Sequence, residues 1–289
     1  MKQLILKTSM KSLYRNCLGC FLVLLLIPGL ALAQTKPIRV GILPTLSPRE
    51  LLIIYESVRS YLTQELHQPV QLGTATDFGA FHQQTLAGEY DVVVTAAHLA
   101  RLAQREQGWL PVATYQTANR VILLTAKATP IKTVEDLRGT TITSLDPVAL
   151  IVIQGRRWLS EKGLQSNRDY QFVTAPSFTS AVHAMLQKQA ALVIVSPASY
   201  KHLPDDLKQE TQVFQTLPEI PSLIWMLNPK ARIDAAQLKR LLLNFTAERA
   251  EGQLFFQRTG YKGLREVSNE QMLALDIYAD EVKHLLKFK

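Results

Sequence analysis

Residues 38–66, IRVGILPTLSPRELLIIYESVRSYLTQEL, decide the fold class. Residues 38–43 are an apolar run of strand length. Ser47-Pro48-Arg49-Glu50 then carries three helix-start signals: a serine suited to the N-cap, a proline at the first helical position, and a glutamate able to bond back as a capping box. Beyond it Leu51, Ile54, Tyr55, Val58, Tyr61, Leu62 and Leu66 recur at helical spacing, so both tyrosines are expected in the core. A strand feeding a capped amphipathic helix is the repeating unit of an α/β protein.

The same grammar continues downstream. Strands are expected at 70–75, 91–95, 111–115, 120–125, 140–145, 170–174, 191–195, 213–217 and 223–227. Helices are expected at 77–87, 98–107, from Asp146-Pro147 to about 162, at 177–189, 233–250 and 269–286, with a single turn at 133–139. Gly88, Gly108 and Gly163 stand where helices should stop. Asp205-Asp206, after Pro204, reads as a solvated loop. Alternating strands and helices imply parallel sheets with helices on both faces. Two such runs, followed by helices without a sheet of their own, imply that the last helices return to the first run.

The chain of 289 residues begins with a basic, acid-free segment (Lys2, Lys7, Lys11, Arg15), an apolar stretch over 17–32 and Ala31-Leu32-Ala33. This is the layout of a cleavable secretory signal peptide over 1–33, its apolar core too short for a comfortable membrane span. Cleavage there leaves 256 residues and takes away Cys17 and Cys20, which excludes disulfides, a thiol nucleophile and Cys-ligated metal in the remainder. Removing four basic residues from the 32 leaves 28 against 24 acidic ones, a net charge of +4 in place of +8. Nucleic-acid binding therefore loses its main support. A remainder of this length forms one large domain or two lobes.

The pieces IRVGILP (38–44), LAGEYDVVVTAAHLA (86–100), ATPIKTVEDLRGTTITSLDP (128–147) and IPSLIWMLNPKARIDAAQLKRLLLNF (220–245) resemble the phosphate/phosphonate-type substrate-binding proteins of bacterial ABC transporters, which are type 2 periplasmic binding proteins. The resemblance runs along nearly the whole chain after residue 33. It implies a two-lobed α/β fold whose two mixed or parallel sheets are joined by two crossover strands. Lobe 1 would comprise 34–122 and 224–289, and lobe 2 would comprise 123–223. It also implies a periplasmic monomer that takes a small-molecule ligand, an anion or organic acid, and presents it to a membrane permease, with no catalysis and no cofactor. A ligand-sensing input subunit for a membrane signalling protein is the alternative. A binding-protein fold turned enzyme is a third, with His98 and Asp146 as its candidates.

In open α/β sheets ligands bind beyond the carboxyl ends of the strands. Those ends place Thr45, Ser47, Thr95, His98, Ser144, Asp146, Ser177, Phe178 and Thr179 as candidate ligand residues, with Arg120 at the hinge as a possible carboxylate clamp. Each has a plainer role: turn or cap for Thr45, Ser47, Ser177 and Thr179, packing for His98, an ion pair for Arg120. The resembled family usually has a Ser/Thr/Gly run after the strand matching 140–145, a His-Asp pair at the next helix start and Gly-Pro after the third strand. Here those places hold Val148-Ala149-Leu150-Ile151, Ser177-Phe178-Thr179-Ser180 and Ala96-Ala97-His98. A dianion buried without matched donors is costly, so a larger, partly apolar ligand is expected beside Val148, Leu150 and Phe178. No G-x-S-x-G elbow, P-loop or dinucleotide fingerprint occurs, and the six histidines show no metal-ligand spacing.

Overall fold

The computed structural model describes residues 36–286, and the leader expected over 1–33 lies outside the described residues. Strand β1 (Ile38–Ile42) leads into helix α1 (Pro48–Leu66), whose start is a capping box. Glu50 N donates to Ser47 Oγ at 3.4 Å, and the Glu50 carboxylate accepts from Ser47 N at 3.1 Å. Leu51, Tyr55, Val58, Tyr61 and Leu62 are buried on its inner face, the tyrosines included.

Among the described residues, the first sheet combines β1 with β2 (Val70–Gly73), β3 (Val92–Thr95), β4 (Leu110–Tyr115), β10 (Ile224–Leu227) and β11 (Leu264–Arg265), in the order β11-β4-β10-β3-β1-β2. The second holds β5 (Ile122–Ala126), β6 (Thr141–Ser144), β7 (Gln171–Thr174), β8 (Leu192–Val195) and β9 (Thr211–Thr216), in the order β7-β6-β8-β5-β9. Both sheets are mixed. β1 pairs in parallel with β2 and β3, and β6 with β7 and β8. The strands that enter after each crossing, β5 and β10, run antiparallel to both neighbours. Gly41 in β1 makes room for a ring: a Cβ there would lie 2.7 Å from Tyr90.

Helices α2 (Phe78–Leu86) and α3 (Ala97–Gln107) belong to the first β/α run. Helices α4 (Leu150–Glu161), α5 (Phe178–Leu186), α6 (Pro197–Lys201) and α7 (Asp205–Glu210) belong to the second. The chain closes with α8 (Ala235–Asn244), α9 (Ala250–Thr259), α10 (Asn269–Leu273) and α11 (Asp276–Leu286). As expected for helices without their own sheet, α8 packs on β4, α9 on α1 and α11 on α3. Arg101 holds Asp276 through two bonds of 2.8 and 3.0 Å, fastening α11 to α3.

Several expected elements differ. The helix expected from Asp146 begins at Leu150, because Asp146 forms a turn first: its carboxylate accepts from Val148 N at 3.0 Å and its carbonyl from Ala149 N at 2.9 Å. The single helix expected over 233–250 is instead α8 plus a corner, with α9 following it. Phe245 at that corner is 1% exposed and packs on Tyr61, Phe255 and Phe256. The helix expected over 269–286 breaks at Ala274-Leu275, where Leu275 turns into the core. Asp205 and Asp206 open α7 and are not in a loop, favoured there by the helix dipole. The short α6 and β11 were not expected.

Two links cross between the sheets, 116–121 outward and 217–223 back. They pair as antiparallel neighbours: Asn119 N donates to Ile220 O at 2.9 Å and Ile220 N to Asn119 O at 2.8 Å. The largest apolar cluster does not stop at either sheet. It joins Leu43, Ala97 and Leu99 of the first run to Val148, Leu150, Ile153 and Ile194 of the second, and to Met272 and Val282 of the closing helices.

Candidate functional site

The strand ends that face the second run bring two helix starts together. α3 follows β3 and α4 follows β6. Among the helices that open at the carboxyl ends of the parallel strands and their neighbours, α1, α2, α5 and α6 are capped by Ser47, Asp77, Ser177 and Ser196. α3 and α4 begin at Ala96 and Ala149, with no side-chain cap. Their first-turn N–H groups carry the positive end of the helix dipole without a protein side chain to receive it.

His98, in the first turn of α3, touches the α4 side directly. Its Nε2 lies 2.8 Å from Val148 O. A carbonyl only accepts, so Nε2 carries the proton. Nδ1 has no partner, and the residue is fully buried. Burial lowers the imidazole pKa to about 4; the Val148 bond opposes this and nearby His82 adds to it. His82, on α2, is likewise lowered to about 4 by burial, against the pull of Glu106 at 4.0 Å. Both imidazoles are therefore neutral near pH 7. Around this contact Val148 is fully buried, and Leu150 and Ile151 are nearly so. The apolar residues at the start of α4 thus pack against the first run.

The other expected residues divide by what they touch. Thr95 is buried at the end of β3, three residues before His98. Ser144 is fully buried, and its hydroxyl donates to Ile194 O at 2.6 Å, tying β6 to β8. Asp146 is engaged with the turn before α4. Phe178 is half-buried and packs on the clusters of both faces of the second sheet. Ser47 and Ser177 are cap residues, exposed, each with its hydroxyl bonded within its own first turn. Thr45 is exposed in the turn after β1, and Thr179 is half-buried in the first turn of α5. Arg120 forms an ion pair with Glu219, one residue of each crossing link. The contact of His98 with Val148 is thus the meeting point, with Thr95 and Asp146 close to it in sequence.

Sequence reasoning overlooked His82, and also Gln154, whose Nε2 donates to Pro218 O at 3.0 Å and fastens α4 to the returning link. Both are polar residues at apolar-face positions of their helices, which was the available signal. Among the described residues no group of three or more His, Cys, Asp or Glu is placed to hold a metal ion.

A family model described as the phosphonate periplasmic substrate-binding protein of ABC transporters matches residues 40–272. No curated protein sequence matches the chain. Solved structures align over most of it. PhnD1 of Prochlorococcus marinus, in complex with methylphosphonate, is 11% identical with a TM-score of 0.75, over 86% of this chain and 98% of its own. The binding-protein component of a phosphonate ABC transporter from Pseudomonas aeruginosa is 15% identical with a TM-score of 0.72, over 87% and 89%. A Xanthomonas citri protein bound to chloride is 14% identical with a TM-score of 0.73, over 87% and 99%. At these identities the likeness concerns the fold, two lobes each built on a mixed sheet.

Proposed function

The chain belongs to the phosphonate-type periplasmic substrate-binding proteins of ABC transporters, and from that premise we propose that it captures a small acidic solute where α3 and α4 meet and hands it to a membrane permease. The leader over 1–33 would deliver it to the periplasm. The observation that carries the reading is that two uncapped helix starts, at Ala96 and Ala149, are brought into contact through His98 Nε2 and Val148 O. Free N–H groups at a helix start favour an anionic group.

The surroundings favour an organic acid over inorganic phosphate. Ser144, the hydroxyl nearest the start of α4 in the parallel strand, is bonded to Ile194 O. His98 is neutral and bonded to Val148 O. Val148, Leu150 and Phe178 offer apolar surface. In the described arrangement these side chains pack on one another, so ligand entry requires the lobes to part at the links 116–121 and 217–223, a hinge motion.

A thermal-shift screen tests this. The panel holds phosphate, phosphite, small phosphonates, sulfate, and short- and medium-chain organic acids. A ligand at about a hundred times its dissociation constant adds roughly 2.7 kcal/mol of stability. The expected result is a shift of several degrees with an apolar organic acid and little with phosphate. A clear shift with phosphate or methylphosphonate alone would overturn the ligand assignment.

A further inference from the structure

Helix α4 starts at the lobe contact, and its other end lies about 18 Å along the axis. There an open groove of about 540 Å3 runs between the end of α4, the loop 131–134 and β9. Its volume is that of a small-ligand site. Trp158 and Phe214 supply its aromatic surface, edge to face with ring centroids 6.5 Å apart, and both are half-buried. Val213 beside them is 47% exposed. The walls are held by their own bonds. The Asp136 carboxylate accepts from Lys132 N and Thr133 N, each at 2.9 Å, and Thr125 Oγ1 accepts from Ile131 N at 3.2 Å. At the end of α4 the N–H groups of Lys162, Gly163 and Leu164 take the carbonyls of the last turn.

The charges add a second constraint. Lys132 and Lys162 are exposed and line the groove from two sides, and no acidic residue lines it. Among the described residues neither lysine forms a salt bridge. Asp136 attracts Lys132, but its carboxylate is taken up chiefly by the loop N–H groups. A cationic ligand is therefore disfavoured. A small inorganic anion would make no use of the rings and would keep its water. An added strand is disfavoured as well. β9 ends its sheet, but its register shifts at Phe214, where Leu123 pairs with Gln215 and Leu124 with Val213. A bulge of this kind discourages edge pairing. A compact anion with a flat apolar body is what remains.

We propose that this groove binds an aromatic carboxylic acid, its ring against Trp158 and Phe214 and its carboxylate toward Lys132 and Lys162. The ring gains offset or edge-to-face contact with the two aromatic side chains, and the carboxylate meets two cations. All the walls belong to the second β/α run. Binding here does not require the lobes to part, and the site is separate from the one where α3 and α4 meet.

Titration of the purified protein with phenylacetate, phenylacetamide, acetate and inorganic phosphate tests it, read by calorimetry and by tryptophan fluorescence. Trp109 and Trp225 are 2% and 1% exposed, so acrylamide quenching reports mainly on Trp158. Phenylacetate is expected to bind and to shield Trp158 from acrylamide. Phenylacetamide, which lacks the charge, and acetate, which lacks the ring, should each bind about tenfold more weakly. Lys132→Gln and Lys162→Gln, both at exposed positions, should each weaken phenylacetate by about threefold. His98→Gln should leave it unchanged. No heat with phenylacetate, or acetate or phosphate binding as tightly, would overturn the proposal. So would phenylacetate binding that ignores both lysine substitutions and leaves Trp158 open to quencher, which would place the acid elsewhere.

Discussion

At the residue scale, burial has turned candidate ligand groups into structural ones. Ser144 is the plainest case: its hydroxyl is spent on Ile194 O inside the second sheet. Ser144→Ala should cost about 1 kcal/mol in denaturant unfolding, with no change in affinity for any ligand found in the thermal screen. A larger loss of affinity than of stability would return Ser144 to the site. His98 and His82 make stability depend on pH. Both have folded pKa values lowered to about 4, while an unfolded histidine titrates near 6.5. Above 6.5 neither state holds the extra proton and their contribution is complete. As pH falls from 6.5 toward 4, the unfolded chain takes up protons that the folded one refuses. Stability should then drop by up to about 1.4 kcal/mol per pH unit for each histidine. His98→Gln, which keeps a donor in reach of Val148 O, should remove about half of that slope in unfolding curves taken from pH 7 to 4.5.

At the element scale, the sequence pattern gave helix starts correctly where a side chain caps its own helix, and failed where a distant contact breaks one. Ser47 and Ser177 follow local rules, and both are observed caps. The break between α8 and α9 follows no local signal of comparable strength. It exists because Phe245 joins an aromatic group with Tyr61 and Phe255, and because the Thr246 carbonyl lies over Gly252. A Cβ at Gly252 would stand 1.9 Å from that backbone oxygen. Gly252→Ala should therefore destabilise by at least 1–3 kcal/mol, about the cost of overpacking, despite alanine's better helix propensity. Thermal unfolding measures it; a stabilised variant would show that the corner yields easily.

At the scale of the whole molecule, the two lobes are held by the paired links, the Arg120–Glu219 ion pair and the apolar contact around Val148. The ion pair is exposed on both sides and contributes little. Val148, at the centre of the apolar contact, is fully buried. A charge placed there cannot stay buried unpaired. Val148→Glu should part the lobes while both sheets stay folded: the radius of gyration by small-angle scattering rises, and far-ultraviolet circular dichroism is unchanged. An unchanged radius with retained helicity would show that the links, and not this contact, set the closed arrangement.

The sequence by itself determined the α/β alternation, most strand positions, the capped helix starts and the family resemblance that the family match bears out. These depend on periodicity and capping, which act over a few residues. Only the tertiary structure decided which polar groups are already paired within the protein. His98 meets Val148, and Ser144 meets Ile194, each across 50 residues; Arg120 meets Glu219 across 99. Such pairings follow from where the crossing links place one lobe against the other, and a side chain's environment at that range leaves no trace in local spacing.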